Sequence, residues 1–178
     1  GSSEEYAPND GPLCESDSTI ANNPYGISKA TQECFAALYA KEFGLGVCLT
    51  RSFNHTGPGQ NPAFVLPSWC RQAAEIEKSA KPGRVTVGNI SVARDFSDVR
   101  DVVRAYRLIM ESGRAGEVYN VGSGRALPLC DLLETIKSFC RQPIEVEIDT
   151  ALIRPNDTAS ICCDYSKINE ELGWKPKR

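Results

Sequence analysis

Apolar residues recur at helical intervals in five stretches of the chain and at strand-like intervals in several others. In 24–43, "PYGISKATQECFAALYAKEF", they fall at 27, 30, 34 and 38, with 31 and 35 alongside, which is one face of a helix. Asn23 offers an N-cap, Pro24 suits the first helical position, and Gly44 fits a stop just past the last turn. "GVCLTRSF" (46–53) reads as a buried strand and "NHTGPGQNP" (54–62) as a loop rich in turn residues. "FVLPSWCRQAAEIEKSA" reads as a second helix, and "RVTVGN" and "ARDFSD" bracket a short strand and a loop. "DVRDVVRAYRLIMES" (98–112) predicts a helix, "EVYNVGSG" a strand and turn, and "LCDLLETIKSFC" (129–140) another helix. "IEVEID" alternates as a strand, and "DYSKINEELGW" closes the chain as a short helix ending at Gly173.

Strands alternating with helices predict an α/β fold. No internal repeat or low-complexity tract interrupts the pattern. A doubly wound nucleotide-binding sheet opens with a Gly-rich strand-to-helix turn that receives a pyrophosphate. None of the 14 glycines forms a G-x-x-G-x-x-G or G-x-G-x-x-G run. The expectation is a chain without that half, roughly a hundred residues at ~30 per βαβ unit, and inactive by itself.

Composition narrows the function classes. The 178 residues are 41% hydrophobic and 24% charged, with a net charge of −3, as in an ordinary globular protein. With no block of Lys or Arg, neither a nucleic-acid platform nor a membrane-surface patch is expected. No apolar run approaches membrane-spanning length and "GSSEEYAPND" is no signal peptide, so the expected compartment is the cytoplasm. The eight cysteines contain no C-x-x-C and the only histidine is His55, which argues against a zinc cluster, and no metal is expected. Reduced thiols are expected, with the adjacent Cys162 and Cys163 as the place to look for redox behaviour.

The candidate chemistry lies at the start of the first helix. Residues four apart share a helix face, so Tyr25 and Lys29 project together, away from the stripe of Ile27, Ala30, Cys34 and Leu38. A free phenol, with a pKa of about 10, is a poor base at neutral pH. A nearby ammonium favours the phenolate and gives a proton donor and acceptor suited to alcohol–ketone interconversion. Taken alone, Y-x-x-x-K is also what a surface Tyr and Lys at helical spacing would give.

"GSSEEY" at 1–6 followed by "NPYGISKA" at 23–30 resembles the active-site region of the extended short-chain dehydrogenase/reductases that act on nucleotide sugars. The resemblance covers essentially the whole chain. It implies the C-terminal part of a Rossmann-like doubly wound sheet plus a small mixed α/β substrate-binding domain. Residues 1–53 would be the remainder of the Rossmann domain, and 54–178 mainly the sugar-nucleotide-binding part, with segments returning to the sheet. It implies catalytic roles for Ser2, Glu4, Tyr25 and Lys29: Ser2 binding the sugar oxygen, Tyr25 as acid/base, and Lys29 tuning Tyr25 and bonding the nicotinamide ribose. "RSFNHTGPGQ" (51–60) implies that Asn54 contacts the sugar nucleotide. "VGNISVARDFSDVRDVVRAY" (87–106) and "IRPNDTAS" (153–160) imply that Arg94 and Arg154 grip the diphosphate, two guanidinium forks on one pyrophosphate.

Within that family the wording implies reduction of the C4 ketone of a GDP-4-keto-6-deoxy-hexose, with NADP or NAD as cofactor. It also implies a homodimer through the Y-x-x-x-K helix. Glu4, two residues before Tyr6, stands where sugar-nucleotide 4,6-dehydratases place the glutamate that takes the C5 proton. A dehydratase and a 4-epimerase therefore stay open beside the reductase. From another class, a non-catalytic sugar-nucleotide-binding module stays open too, although such a module has no physical need for Ser2, Tyr25 and Lys29.

Overall fold

A computed structural model describes residues 1–9, 11–154 and 157–178. Its first regular element is a 3-10 turn, Ser3–Glu5. Helix α1 then spans Pro24–Phe43, with Asn23 as N-cap and its side chain accepting from the Gly26 N–H. The helix stops at Gly44, whose φ of 64° is left-handed and costs glycine little. Strands β1 (Leu49–Ser52) and β2 (Asn54–Thr56) follow, then α2 (Val65–Ser79), β3 (Gly83–Val87) and β4 (Ala93–Asp98). Next come α3 (Val99–Ser112), β5 (Val118–Val121), β6 (Ala126–Pro128) and α4 (Leu129–Ser138). Strand β7 (Ile144–Ile148), a 3-10 turn (Thr150–Leu152), β8 (Ser160–Ile161) and α5 (Ser166–Leu172) complete the order.

The described chain divides into two units. One comprises Gly1–His55, Asp95–Ala126 and Ile161–Arg178. Its β1 and β5 pair in parallel, with Leu49 opposite Val118 and Ser52 opposite Val121. Val102, Ala105 and Ile109 of α3, Tyr119 and Val121 of β5, Ile168 of α5 and Trp174 form its main core. A second cluster joins Tyr6, Leu13, Phe53 and Cys163.

The other unit comprises Thr56–Arg94 and Leu127–Ser160. There β3 and β7 pair in parallel, from Gly83 opposite Ile144 to Val87 opposite Ile148. Trp69, Ala73 and Ile76 of α2, Val85 and Val87 of β3, and Leu129 and Leu133 of α4 are its buried apolar residues on these elements. A further sheet has the strand order β2-β4-β6, with β8 beside β4.

Four expectations change. Residues 54–56 form a strand where turn residues announced a loop, because pairing with β4 outweighs the low strand preference of Asn54. The strand expected over 46–53 begins at Leu49, since a backbone bond from the Val47 N–H to the Leu45 carbonyl turns the chain first. β4 is continuous over 93–98, where "ARDFSD" had marked the edge of a loop. On α1 the residues buried are Gly26 and Glu33, while Ile27, Phe35 and Leu38 are each more than half exposed. The apolar stripe is thus real in the sequence but uncovered among the described residues.

Candidate active site

The turn at Ser3–Glu5 is held by a capping box. The Ser2 hydroxyl accepts from the Glu4 N–H at 3.3 Å, and the Glu5 carboxylate takes the Ser2 N–H. Ser2 is buried, and its hydroxyl proton is left to donate elsewhere. The turn lies directly against the start of α1: a Cβ at Gly26 would collide with the Glu4 carbonyl oxygen. Any other residue at 26 would push the helix off the turn. Asn23 completes the join. Its Oδ1 accepts from the Gly26 N–H at 2.9 Å while its Nδ2 donates to the Glu4 carboxylate at 2.9 Å.

Tyr25 and Lys29 follow on α1 as the helical spacing requires. Tyr25 is 54% exposed, and the Lys29 ammonium stands 5.6 Å from the centroid of its ring. The same ammonium donates to Gln32 Oε1 at 3.2 Å. The structure thus brings Ser2, Glu4, Tyr25 and Lys29 onto two abutting elements, a 3-10 turn and a helix N-terminus. Asn54 belongs to the same unit, exposed on β2.

Arg94 and Arg154 belong to the other unit. Arg154 is exposed, just past the 3-10 turn at 150–152. Arg94 is the second residue of β4, with its side chain largely buried. Its Nη1 donates to the Ala93 and Thr158 carbonyls at 2.8 and 2.7 Å, and its Nη2 bonds the Asp157 carboxylate. Asp95 and Asp98, near Arg94 in the sequence, are both engaged with other groups. Asp98 caps α3 and pairs with Arg100. Asp95 is fully buried and accepts from the Ser123, Gly124 and Cys163 N–H groups. In the same unit as Arg94, the GPGQ turn, α2 and α4 enclose a cleft of about 480 Å³ lined by Gln60, Leu66, Pro67, Arg71 and Ile136.

Beneath the turn lies a charge cluster that sequence reasoning missed. Arg51 donates to both oxygens of Glu33 (2.8–3.2 Å), to the Tyr6 hydroxyl (3.1 Å) and to the Glu15 carbonyl (3.2 Å). The Glu5 carboxylate, fully buried, stands 3.8 Å from Arg51. Burial first, and then the Glu33 carboxylate, push the Glu5 carboxyl up from its usual range. Burial likewise pushes the Tyr6 phenol up to about 12, and Tyr6 donates to Asn120 Oδ1 at 2.7 Å. Burial opposes the charge on Arg51, but its bonds to Glu33 and Tyr6 outweigh that and hold it protonated. A charged residue inside an apolar strand, and a glutamate eight positions after Tyr25 on the helix, were the available signals.

All eight cysteines are free thiols. Burial raises Cys163 and Cys162 alike, so little reactive thiolate forms at the adjacent pair near neutral pH. No helix of the described residues is long and apolar enough to cross a membrane.

Comparison with known proteins follows the same pattern. The family model described as GDP-mannose 4,6 dehydratase matches residues 1–178. The chain is 36% identical over 155 residues to GDP-6-deoxy-D-mannose reductase of Pseudomonas aeruginosa, covering 87% of this chain and 51% of that protein. It is 32% identical over 156 residues to dTDP-glucose 4,6-dehydratase of Actinoplanes sp., covering 88% and 47%. The structure of RMD from Pseudomonas aeruginosa complexed with NADPH superposes with a TM-score of 0.92 at 32% identity, over 99% of this chain and 59% of that one. The chain therefore spans about half the length of the curated relatives it matches. It belongs to the GDP-mannose 4,6 dehydratase family of extended short-chain dehydrogenase/reductases.

Proposed function

We propose that this chain supplies the acid/base and sugar-nucleotide-binding residues for reduction of the C4 ketone of a GDP-4-keto-6-deoxy-hexose. The observation that carries the reading is the exposed Tyr25 phenol under the Lys29 ammonium, on a helix start fixed against Ser2 and Glu4. The 36% identity to a GDP-6-deoxy-D-mannose reductase supports ketone reduction among the chemistries such a pair can serve.

Tyr25 gives its proton to the C4 oxygen as that oxygen gains negative charge, and the Ser2 hydroxyl donates a hydrogen bond to the same oxygen. Lys29 stabilises the phenolate that remains. Asn54 contacts the sugar nucleotide, and Arg94 and Arg154 take its diphosphate. The cofactor is NADP or NAD, which when bound supplies the hydride. The solvent-facing Tyr25–Lys29 surface fits the nicotinamide ribose, with both residues offering hydrogen bonds to its hydroxyls. The uncovered apolar residues of α1 support a homodimer through that helix.

The test uses an enzyme carrying this chain together with a Gly-rich cofactor-binding half, given GDP-4-keto-6-deoxymannose and NADPH. A C4 alcohol should form, and Tyr25→Phe should lower turnover by about 10²–10⁴-fold, the usual worth of a positioned proton donor. Near-normal turnover in that variant returns Tyr25 to the surface.

The bond from Asn23 to Glu4 favours a second reading, since it fixes a partly exposed carboxylate at the start of the helix that carries Tyr25. In a dehydratase that carboxylate takes the C5 proton. The reductase reading expects Glu4→Gln to leave ketone reduction largely intact. Solvent deuterium entering C5 in the parent enzyme and vanishing in Glu4→Gln would make the dehydratase the correct reading.

A further inference from the structure

Arg51 has its charge balanced without Glu5. Its Nε and Nη2 bond both oxygens of the Glu33 carboxylate at 2.8–3.2 Å. Glu5 stands 3.8 Å away, beyond hydrogen-bond reach, and is fully buried. Burying a second carboxylate there opposes folding. The hydrogen bond that Glu5 does accept comes from the Ser2 N–H. Ser2 is extended, with φ −161° and ψ 153°, and its carbonyl accepts from the Glu5 N–H at 3.2 Å. Its hydroxyl accepts from the Glu4 N–H at 3.3 Å, too long a bond to fix the side chain by itself. The position of the hydroxyl therefore follows the Ser2 backbone, which Glu5 holds at both its N–H and its carbonyl. Gly1 shows how closely the acids crowd this point. A Cβ there would collide with the Glu33 carboxylate, the Thr50 carbonyl and the Glu5 carboxylate.

We infer that Glu5 is a positioning residue: its buried carboxylate fixes the backbone of Ser2, so that the serine hydroxyl meets the same sugar oxygen as the Tyr25 phenol. The inference rests on the reading of Ser2 and Tyr25 as groups on that oxygen and deepens it. Glu33 lies on α1 four residues after Lys29 and eight after Tyr25. One guanidinium thus stands between the helix that carries the phenol and the acid that holds the serine. Glu5 touches neither substrate nor cofactor and acts only through Ser2. For that it needs an acceptor oxygen rather than a charge. A donor already in place when negative charge develops on the sugar oxygen requires no reorganisation in the transition state, so the effect belongs to kcat rather than to substrate binding.

Glu5→Gln and Glu5→Met separate the acceptor from the charge, since both remove the charge at similar length and only Gln keeps the oxygen. They are compared with Ser2→Ala and with Ser2→Ala combined with Glu5→Met, in an enzyme carrying this chain together with a Gly-rich cofactor-binding half. kcat and KM are measured with GDP-4-keto-6-deoxymannose and NADPH well below the melting temperature of each variant. Ser2→Ala should lower kcat by about 10²-fold, the loss of one donor to a developing oxyanion. Glu5→Met should lower kcat by about tenfold or more with KM within about threefold, while Glu5→Gln stays within about threefold of the parent in both. With Ser2 already replaced by Ala, Glu5→Met should cost no more than about a further twofold. Glu5→Leu answers the same question if the Met variant does not fold. A parental kcat in the apolar variant overturns the positioning role. A loss just as large without the Ser2 hydroxyl overturns it as well, because the acid then supports the fold and not the serine. Equal losses in Gln and Met do the same, since the charge and not the acceptor is then what matters. Ser2→Ala with parental kcat is a different failure: it removes the serine from the site, and the inference with it.

Discussion

Arg51 and Arg94 are withdrawn from water to almost the same degree, with side chains 9% and 12% exposed, yet they are neutralised in different ways. Arg51 faces two carboxylates, Glu33 and Glu5, and adds the Tyr6 hydroxyl and a backbone carbonyl. When both acids are ionised the cluster is net negative and closed to any further anion. Arg94 bonds the carboxylate of Asp157 and the backbone carbonyls of Ala93 and Thr158. The difference separates a cation that ties a turn, a helix and a strand together through buried acids from one that bonds backbone carbonyls of its own unit. Depth of burial alone would have classed them together.

The largest expected effect breaks the comparison at Arg51. Arg51→Ala leaves Glu33 and Glu5 buried without their cation, a loss of about 3–5 kcal/mol. At about 2–4 °C per kcal/mol for a chain of this size, the melting temperature should fall by roughly 6–20 °C. Arg94→Ala should instead melt within a few degrees of the parent and show its loss in GDP affinity. Equal melting temperatures for the two variants would erase the distinction.

A smaller effect sharpens the comparison through Glu5. Its carboxyl in the folded chain titrates above the unfolded value of 4.5. The folded state therefore holds more protons than the unfolded state in the window above that value, and stability falls as pH rises through it. Below about pH 4 both states are protonated and the penalty is absent. Glu5→Gln, which keeps an acceptor for the Ser2 N–H, should raise the melting temperature at pH 7–8 and match the parent at pH 4. A Gln variant less stable at neutral pH would mean that Arg51 stabilises Glu5 as an ion by more than burial costs it.

The local geometry of α1 was legible before any fold was known, because it follows from rules that act within one turn of helix. The Asn23 cap, Pro24, the stop at Gly44 and the shared face of Tyr25 and Lys29 depend only on neighbours three or four residues away. The same locality explains why the helices of the described residues could be read from the sequence. What stayed hidden depends on chain returning from a distance. β2, β6 and β8 are two or three residues long, too short to show a period, and they exist only because β4 lies beside them.

Charge partners are hidden for the same reason. Asp95 and Asp98 flank Arg94 closely in the sequence, yet the strand places Asp157, 63 residues on, against its guanidinium. Asn23 was readable as a cap, but its second bond, to a carboxylate 19 residues back, was not. By itself, then, the sequence determined which residues could donate a proton, cap a helix or carry a charge, since those are properties of the side chain and its near neighbours. Only the tertiary structure decided which charges meet, because an ion pair follows from backbone paths that converge and from the water excluded around them. That is why Tyr25 and Lys29 could be named from eight residues, while Glu5, Glu33 and Asp157 required the fold.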